Sequence, residues 1–493
     1  MLQGEQKFIS ILMAICVSSV GMLIGCSPIA PGNSSKGSTS LEIYKQSFTR
    51  SSRHSVEPNI KALEILTLER AIAESLSASS HLEQMQRRIE AAAQQIRQAE
   101  AAYYPRLVLS QDFNATDNPV YAMMHIINQR RLDPRTNFND PGWQQNFGTQ
   151  IRSDMMLLDA GGRSANRQAA QYQQQSYDSQ WRSVRNQLVG TVTQTYYRWL
   201  QARQFTRVAE KALDQAHTNE KLGQVRVEAE AALTSEWMRL KTRTAEAKGN
   251  LVSAGIGARR LQAALERLLV REIAPVEIPD PNLNLPPPQF SGPESTQDAL
   301  IEQALQQRPE LEATGYLVKA ARARIRAAKS ESWPKLGVFA QYQFDSETLD
   351  QFEDSWMFGA QAGWTVFQGG LTRAKILEAQ AQLREMEGRG VQLALDIALE
   401  VTQASLAVEE AMEKIEVARQ RRRWAQSALE EIRKLYQEQV VTVEALLQTE
   451  LEWNRAETAY TAAVFDGRIA HALLRQALGD FADRMEIRNE SDQ

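Results

Sequence analysis

Cysteine is almost missing from this sequence: there are two, Cys16 and Cys26, both within the first 26 positions. A body without cysteine excludes disulfide staples, thiolate metal sites and thiol nucleophiles. Proline and glycine are scarce, 16 and 25 of 493 residues, and aromatics make up 7%, so the frequent turns of several small packed domains are absent. Length alone would suggest about three ordinary domains. The abundance of Ala, Gln, Glu, Arg and Leu favours long helices instead. Neither sign of charge prevails, with 56 basic against 60 acidic residues and a net charge of −4, which leaves no electrostatic footprint for nucleic acid. Long apolar runs are also lacking, with one exception, and a mean hydropathy of −0.43 excludes a bundle of many apolar transmembrane helices.

The exception is Phe8 to Ile24, preceded by Lys7 and followed by Cys26 and a Ser/Thr-rich stretch. This is the pattern of a secretion signal. Three fates are open to it: cleavage as an ordinary signal, retention as an anchor helix at the lower limit of a membrane span, or cleavage ahead of an acylated cysteine. Leu23-Ile24-Gly25-Cys26 resembles the bacterial lipobox, which favours the last, with 1–25 as the signal peptide and Cys26 as the lipidated residue. Ser27 resembles the outer-membrane class of such lipoproteins. Residues 26–58 are too polar to bury a core and read as a tether.

Where prolines stand, and where they do not, divides the rest. Residues 142–274 and 335–493 have none, whereas 275–293 hold seven in 19 positions, the composition of a stiff extended connector. The two sides repeat one order of features. On the first, a helical run from about Asn59 to Ala102 leads to Tyr103-Tyr104-Pro105, a β-like segment, and Leu158-Asp159-Ala160-Gly161-Gly162-Arg163 opening a long helix. On the second, a run from about Gln297 to Ser330 leads to Ser332-Trp333-Pro334, a β-like segment, and Phe367-Gln368-Gly369-Gly370-Leu371 opening another. Gly161 follows Pro105 by 56 residues and Gly369 follows Pro334 by 35. The surplus falls between Asn114 and Asn146, with Pro119, Pro134 and Pro141, and reads as a long surface loop. The expected domains are a first repeat over 59–274, a connector over 275–295, a second repeat over 296–480 and a tail over 481–493.

Four segments, about 105–113, 147–158, 335–344 and 356–367, alternate with period two. Leu336, Val338, Ala340, Tyr342 and Phe344 share one face, opposite Lys335, Gly337, Gln341 and Gln343, with Phe339 as the exception. Leu107, Leu109 and Phe113 stand likewise against Arg106, Ser110 and Asp112. Such strands suit half-buried hairpins of a soluble protein, or apolar-out, polar-in strands long enough to cross a bilayer when tilted. Tyr103, Tyr104, Phe113, Trp333, Phe344 and Trp356 would then lie at its interfaces. Four strands cannot close a barrel, and open edges are not tolerated in hydrocarbon, so a spanning sheet requires several copies of the chain. A dimer's 8 strands would be nearly filled by side chains, whereas a trimer's 12 leave a wider lumen.

The helices are expected over 163–217 and 371–432, roughly 80–90 Å each at about 1.5 Å per residue, with breaks near Gly223–Leu233 and Tyr436–Val443. On the last helix Leu446, Leu447, Leu451, Trp453, Ala456, Tyr460, Val464, Ile469, Leu473, Leu474 and Leu478 recur at three- and four-residue spacing, a stripe for packing on partner helices.

Together these features resemble the outer membrane factor family of TolC-like efflux channels. Arg308-Pro309-Glu310-Leu311 resembles the family's opening of its second half, Leu157 to Arg163 and Val366 to Gly370 its strand-to-helix signature, and Tyr436 to Leu447 with Ala459 to Gly479 its last hairpin. The resemblance covers about residues 60–480. It implies a mainly helical, duplicated chain with transmembrane β-strands, four per subunit, in a homotrimer. A 12-stranded barrel in outer membrane lipid would continue as a periplasmic α-barrel, with the Pro-rich connector crossing an equatorial belt. It further implies a passive export conduit for small toxic compounds, docked to a periplasmic adaptor and an inner-membrane pump of a Gram-negative bacterium. Gly161, Gly162, Gly369 and Gly370 become the strand-to-helix turns. Tyr436, Gln439, Glu444, Glu230 and Glu236 become candidates for the periplasmic gate or adaptor tip, with Gln439 and its counterpart Glu230 standing where the family usually has glycine. A structural periplasmic coiled-coil lipoprotein or adaptor without a pore is the alternative.

Enzyme chemistry finds no support. The five histidines, at 54, 81, 125, 217 and 471, form no zinc motif, and neither Gly-Gly pair is followed by the Lys-Ser/Thr of a phosphate loop. No catalytic residue, metal or cofactor is expected. Arg419 to Arg423 reads as a solvated helix face.

Overall fold

A computed structural model describes residues 65–275, 296–349, 351–438 and 440–479. Cys26, the tether, almost all of the Pro-rich connector, Gln439 and the tail lie outside the described residues. The first repeat begins with α1 (Leu68–Ala78) and α2 (Ser80–Ala101), continues through β1 (Arg106–Thr116), α3 (Pro119–Asn128) and β2 (Gln144–Leu158), and ends in α4 (Gly162–Glu228) and α5 (Thr234–Leu269). The second contains α6 (Gln297–Gln307), α7 (Pro309–Ser330), β3 (Lys335–Ser346), β4 (Glu353–Gly363), α8 (Leu371–Gln437) and α9 (Val443–Leu478). Helix lengths repeat residue for residue: 11, 22, 67 and 36 in each half. The surplus of the first half is therefore confined to the segment between its strands.

Several boundaries differ from those expected. The run to Ala102 is broken at Ser79, whose backbone is extended and whose hydroxyl accepts from the Leu82 amide to cap α2. The run over 297–330 is broken at Arg308, since the residue before a proline is pushed out of the helical region. The first long helix runs past 217 to Glu228, and the break that follows it, before Thr234, falls in the later part of the expected Gly223–Leu233 interval. A side chain at Gly223 would collide with Leu240 of α5, so this glycine serves close helix approach rather than termination. β4 stops at Gly363, short of 367, because its partner β3 begins only after Pro334, leaving residues beyond Gly363 no strand to pair with. The interstrand insertion is not all loop: it folds into α3, opened by Asn118, whose side chain accepts from the amides of Val120 and Tyr121, with Pro119 in the first turn.

The strands form one antiparallel sheet in the order β1-β2-β3-β4, with β2 and β3 joining the two repeats at its centre and β1 and β4 as unpaired edges. Ile151 stands opposite Tyr342, and Tyr342 opposite Trp356. Each 67-residue helix extends about 100 Å and is backed by its 36-residue partner, α4 by α5 and α8 by α9. One core cluster surrounds Trp199, fully buried among Leu66, Val192, Leu265 and Phe465. A second joins Leu300, Ile397 and Val401, and a third closes the hairpin tips with Leu240, Tyr436, Val443 and Leu446. Each such large apolar side chain contributes about 1.5–3 kcal/mol by leaving water.

Candidate functional site

Register turns the alternation of the strands into two chemically distinct sheet faces. Leu107, Leu109, Phe113, Ile151, Val338, Tyr342, Trp356 and Phe358 fall on one, and Leu109, Trp356 and Phe358 are about 70% exposed. In an isolated chain in water this would be an extensive uncovered apolar surface. The other face is polar and internally bonded. Arg152 pairs with Asp154 at 2.9 Å, Gln341 donates to Gln343 at 3.0 Å, and Gln343 to Asp345 at 2.9 Å. Phe339, the break in the alternation, lies on this polar side, where Arg152 stacks on its ring at 5.2 Å. Its cross-strand neighbour is Gly359, and a side chain there would clash with the ring. Aromatics gather at both ends of the strands: Tyr103, Tyr104 and Trp333 just before β1 and β3, and Phe113, Phe344 and Trp356 toward the far end.

The strand-to-helix turns repeat with a one-residue offset from the Gly-Gly pairs. In the first half the left-handed residues are Ala160 (φ 52°) and Gly161 (φ 82°); in the second they are Gly369 (φ 59°) and Gly370 (φ 84°). Gly161 thus corresponds to Gly370, while Gly162 has already entered α4. It is needed for another reason, since a Cβ there would approach the Ser330 hydroxyl of α7 to 2.5 Å. Arg163 then locks the first junction. Its guanidinium donates to the carbonyls of Met156 (2.7 Å), Leu157 (2.9 Å) and Ala102 (3.2 Å) and stacks on Tyr103 at 4.8 Å.

At the opposite end of the long helices, Glu230 takes a left-handed conformation (φ 57°) that ends α4, and the Ala231 amide returns to the Arg226 carbonyl at 2.8 Å. The Val440 amide makes the matching bond to Leu435 at 2.9 Å. Tyr436 is buried, with Arg226 over its ring at 4.6 Å and donating to its carbonyl at 3.3 Å. Glu444, in the first turn of α9, forms an ion pair with Arg239 of α5. Glu236 lies in the first turn of α5. Tyr436 and Glu444 therefore tie the two hairpin tips together, whereas no local pattern marks their partners Arg226 and Arg239. Three further groups escaped sequence reasoning: the Asn219–Glu450–Arg433 cluster, Ser330 behind Gly162, and Arg130, described below.

Arg308 is explained by packing. It is largely buried where α6 meets α7, paired with Glu310 (3.1 Å) and Glu400 (2.9 Å) and donating to the Ala477 carbonyl at 3.1 Å. Of the arginine run, Arg422 is not merely solvated: it pairs with Glu457 of α9 and stacks on Tyr460 at 4.8 Å. Among the described residues no cluster of His, Cys, Asp and Glu has the arrangement of a metal site.

Comparison with known proteins accounts for this combination. The model of the outer membrane efflux protein family matches residues 71–269 and 300–480, one stretch in each repeat. The solvent efflux pump outer membrane protein SrpC of Pseudomonas putida is 29% identical over 210 residues, 41% of this chain and 43% of that protein, so the chain matches less than half the length of this relative. Crystal structures of CusC superpose with a TM-score of 0.72 at 17% identity, over 84% of this chain and 92% of that one. The outer membrane channel CmeC of Campylobacter jejuni does so with a TM-score of 0.72 at 14% identity, over 86% and 89%. The chain belongs to the outer membrane efflux protein family, proteins of the Gram-negative outer membrane whose helices reach into the periplasm.

Proposed function

We propose that this chain is the outer-membrane conduit of a tripartite efflux system, a passive duct and not an enzyme. One observation carries the reading: a four-stranded sheet with an apolar face, a polar face and two unpaired edges, β1 and β4, continued by helices of 67 residues. Unpaired edges are untenable in hydrocarbon, so β4 of one copy pairs with β1 of the next. Three copies give 12 strands, wide enough for a polar lumen. The length of α4 and α8, far beyond the needs of a globular core, suits a duct crossing the periplasm.

The hairpin tips, with Glu230 and Glu236 in the first repeat and Tyr436, Gln439 and Glu444 at the matching place in the sequence of the second, meet the periplasmic adaptor, and an inner-membrane pump supplies the energy. The cargo is small toxic compounds, in keeping with a relative named for solvent efflux. Cys26 carries the lipid. A pore-free structural lipoprotein has no use for a two-faced sheet with open edges.

Detergent-extracted protein should sediment as a trimer and open ion-conducting pores in planar bilayers. A monomer without conductance would sink the proposal. Labelled palmitate should enter the wild type and not Cys26→Ala.

A further inference from the structure

The helix within the interstrand insertion, α3, belongs to only one of the two repeats. It follows β1 directly and so lies at the end of the sheet remote from the long helices. Its inner face, Ala122, Met123 and Ile126, is buried. At its C-terminus the Gln129 amide donates to the Gln145 carbonyl (2.8 Å) and to Asn146 Oδ1 (2.9 Å), and Asn146 donates to Asp345 at 2.6 Å. Asn146 and Asp345 belong to the polar sheet face, in alternation with Gln150 and Arg152 on β2 and with Gln343 on β3. Both are buried, 4% and 1% exposed. α3 is therefore folded over the polar side of the sheet and not its lipid side. Arg130 then reaches across to β4, pairing with Glu353 at 3.1 Å and donating to the Asp354 carbonyl at 3.0 Å, while Arg131 holds Glu347 at 2.7 Å. The helix is thus tethered from β1 to β4, across the full width of the sheet.

Its other face is apolar and uncovered: Val120, Tyr121, Met124 and Ile127 are each at least half exposed. On the lumen side of a closed ring of sheets, the groups left to cover this face are its equivalents in the other copies. We propose that the α3 helices of the assembled copies pack against one another across the outer mouth of the barrel, forming an apolar constriction that closes by excluding water. The proposal rests on the trimeric barrel proposed above. It adds a second closure, at the cell surface, to the candidate gate at the periplasmic tips.

The test uses the full-length protein in planar bilayers. Met124→Glu and Ile127→Glu place mutually repelling charges in the constriction, and single-channel conductance should rise at least about twofold as it wets, with the trimer intact. Met124→Cys should give cross-linked copies on mild oxidation, and this variant decides the matter if the glutamate variants fail to assemble. Wild-type conductance in assembled glutamate variants, or Met124→Cys copies that stay unlinked because α3 lies on lipid or away from the axis, would overturn the proposal. If neither the wild type nor the assembled glutamate variants form a pore, the barrel reading fails and this inference with it. Pores in the wild type with unchanged variants count against α3 alone.

Discussion

The side-chain amide of Asn219, on α4, donates to both carboxylate oxygens of Glu450, on α9, at 3.0 Å each. Glu450 is 5% exposed, and Arg433 of α8 approaches it at 3.5 Å. Three long helices from both repeats thus converge on one buried charge. Removing its donor leaves a desolvated carboxylate short of partners, so Asn219→Leu should destabilise this region by about 1–3 kcal/mol. Glu450→Gln should cost less, because the new amide oxygen still accepts from Asn219. Limited proteolysis and thermal unfolding in detergent read both effects, and equal resistance of Asn219→Leu and wild type would contradict the assignment.

The neighbouring glycines Gly161 and Gly162 should fail for different reasons when replaced by alanine. Gly161 is left-handed, at φ 82°, so Gly161→Ala carries a backbone penalty of roughly 1–2 kcal/mol. Gly162 is helical but faces the Ser330 hydroxyl, so its penalty is steric and depends on that partner. Ser330→Ala should rescue Gly162→Ala and leave Gly161→Ala unimproved. A double-mutant cycle on melting temperature decides it; additivity at Gly162 and Ser330 would contradict the contact.

What sequence could and could not reveal follows from the range of each interaction. Period-two alternation and Pro-free stretches are local signals, and they located the strands and the long helices. The duplication was legible because both repeats use Pro and Gly at matching junctions, yet the repeat register was one residue off, since two Gly-Gly pairs look equivalent until Ala160 is found in the left-handed region. α3 has a local signal, since Asn118-Pro119 is a helix opening, but three prolines in a segment rich in Asn and Asp make the same stretch look like loop. Glu450 was not legible at all. It sits in an acidic helix, and nothing local distinguishes it from exposed Glu452; its partners lie 231 residues before it in sequence and on a separate helix.

His471, half-buried on α9, has a pKa below the ordinary histidine value because burial disfavours its charged form, with Arg475 adding repulsion. Above about pH 7.5, a unit over the ordinary histidine value, the imidazole is neutral in both folded and unfolded chains and does not make stability depend on pH. As pH falls from there through the ordinary histidine pKa, the unfolded chain takes up a proton that the folded chain resists, and stability declines until the lower folded value is passed. His471→Gln should flatten this part of the loss between about pH 7.5 and 5.5. Melting temperatures of both proteins across that interval test the sign, and a steeper decline in the variant would reverse it.

α8 is the one helix among the described residues long and apolar enough to cross a membrane by length and composition, yet its apolar surface is a stripe and not a full circumference. Val391, Leu395, Leu399, Leu406, Val417 and Trp424 are 56–69% exposed, and at about 100° per residue they fall within one narrow arc. Asp396 and Glu400 project elsewhere, Glu400 to Arg308, so a bilayer would have to solvate charge that the fold already places in water. In the proposed trimer the stripe is covered by helices of a neighbouring copy. Leu395→Glu would bury an unpaired carboxylate in that contact and should shift the detergent-extracted protein from trimer to monomer in sedimentation. Lys414→Ala removes only one half of an exposed i,i+4 pair with Glu410, an interaction of little worth, and should leave the trimer intact. A trimer that tolerates Leu395→Glu would place the subunit contact on another helix.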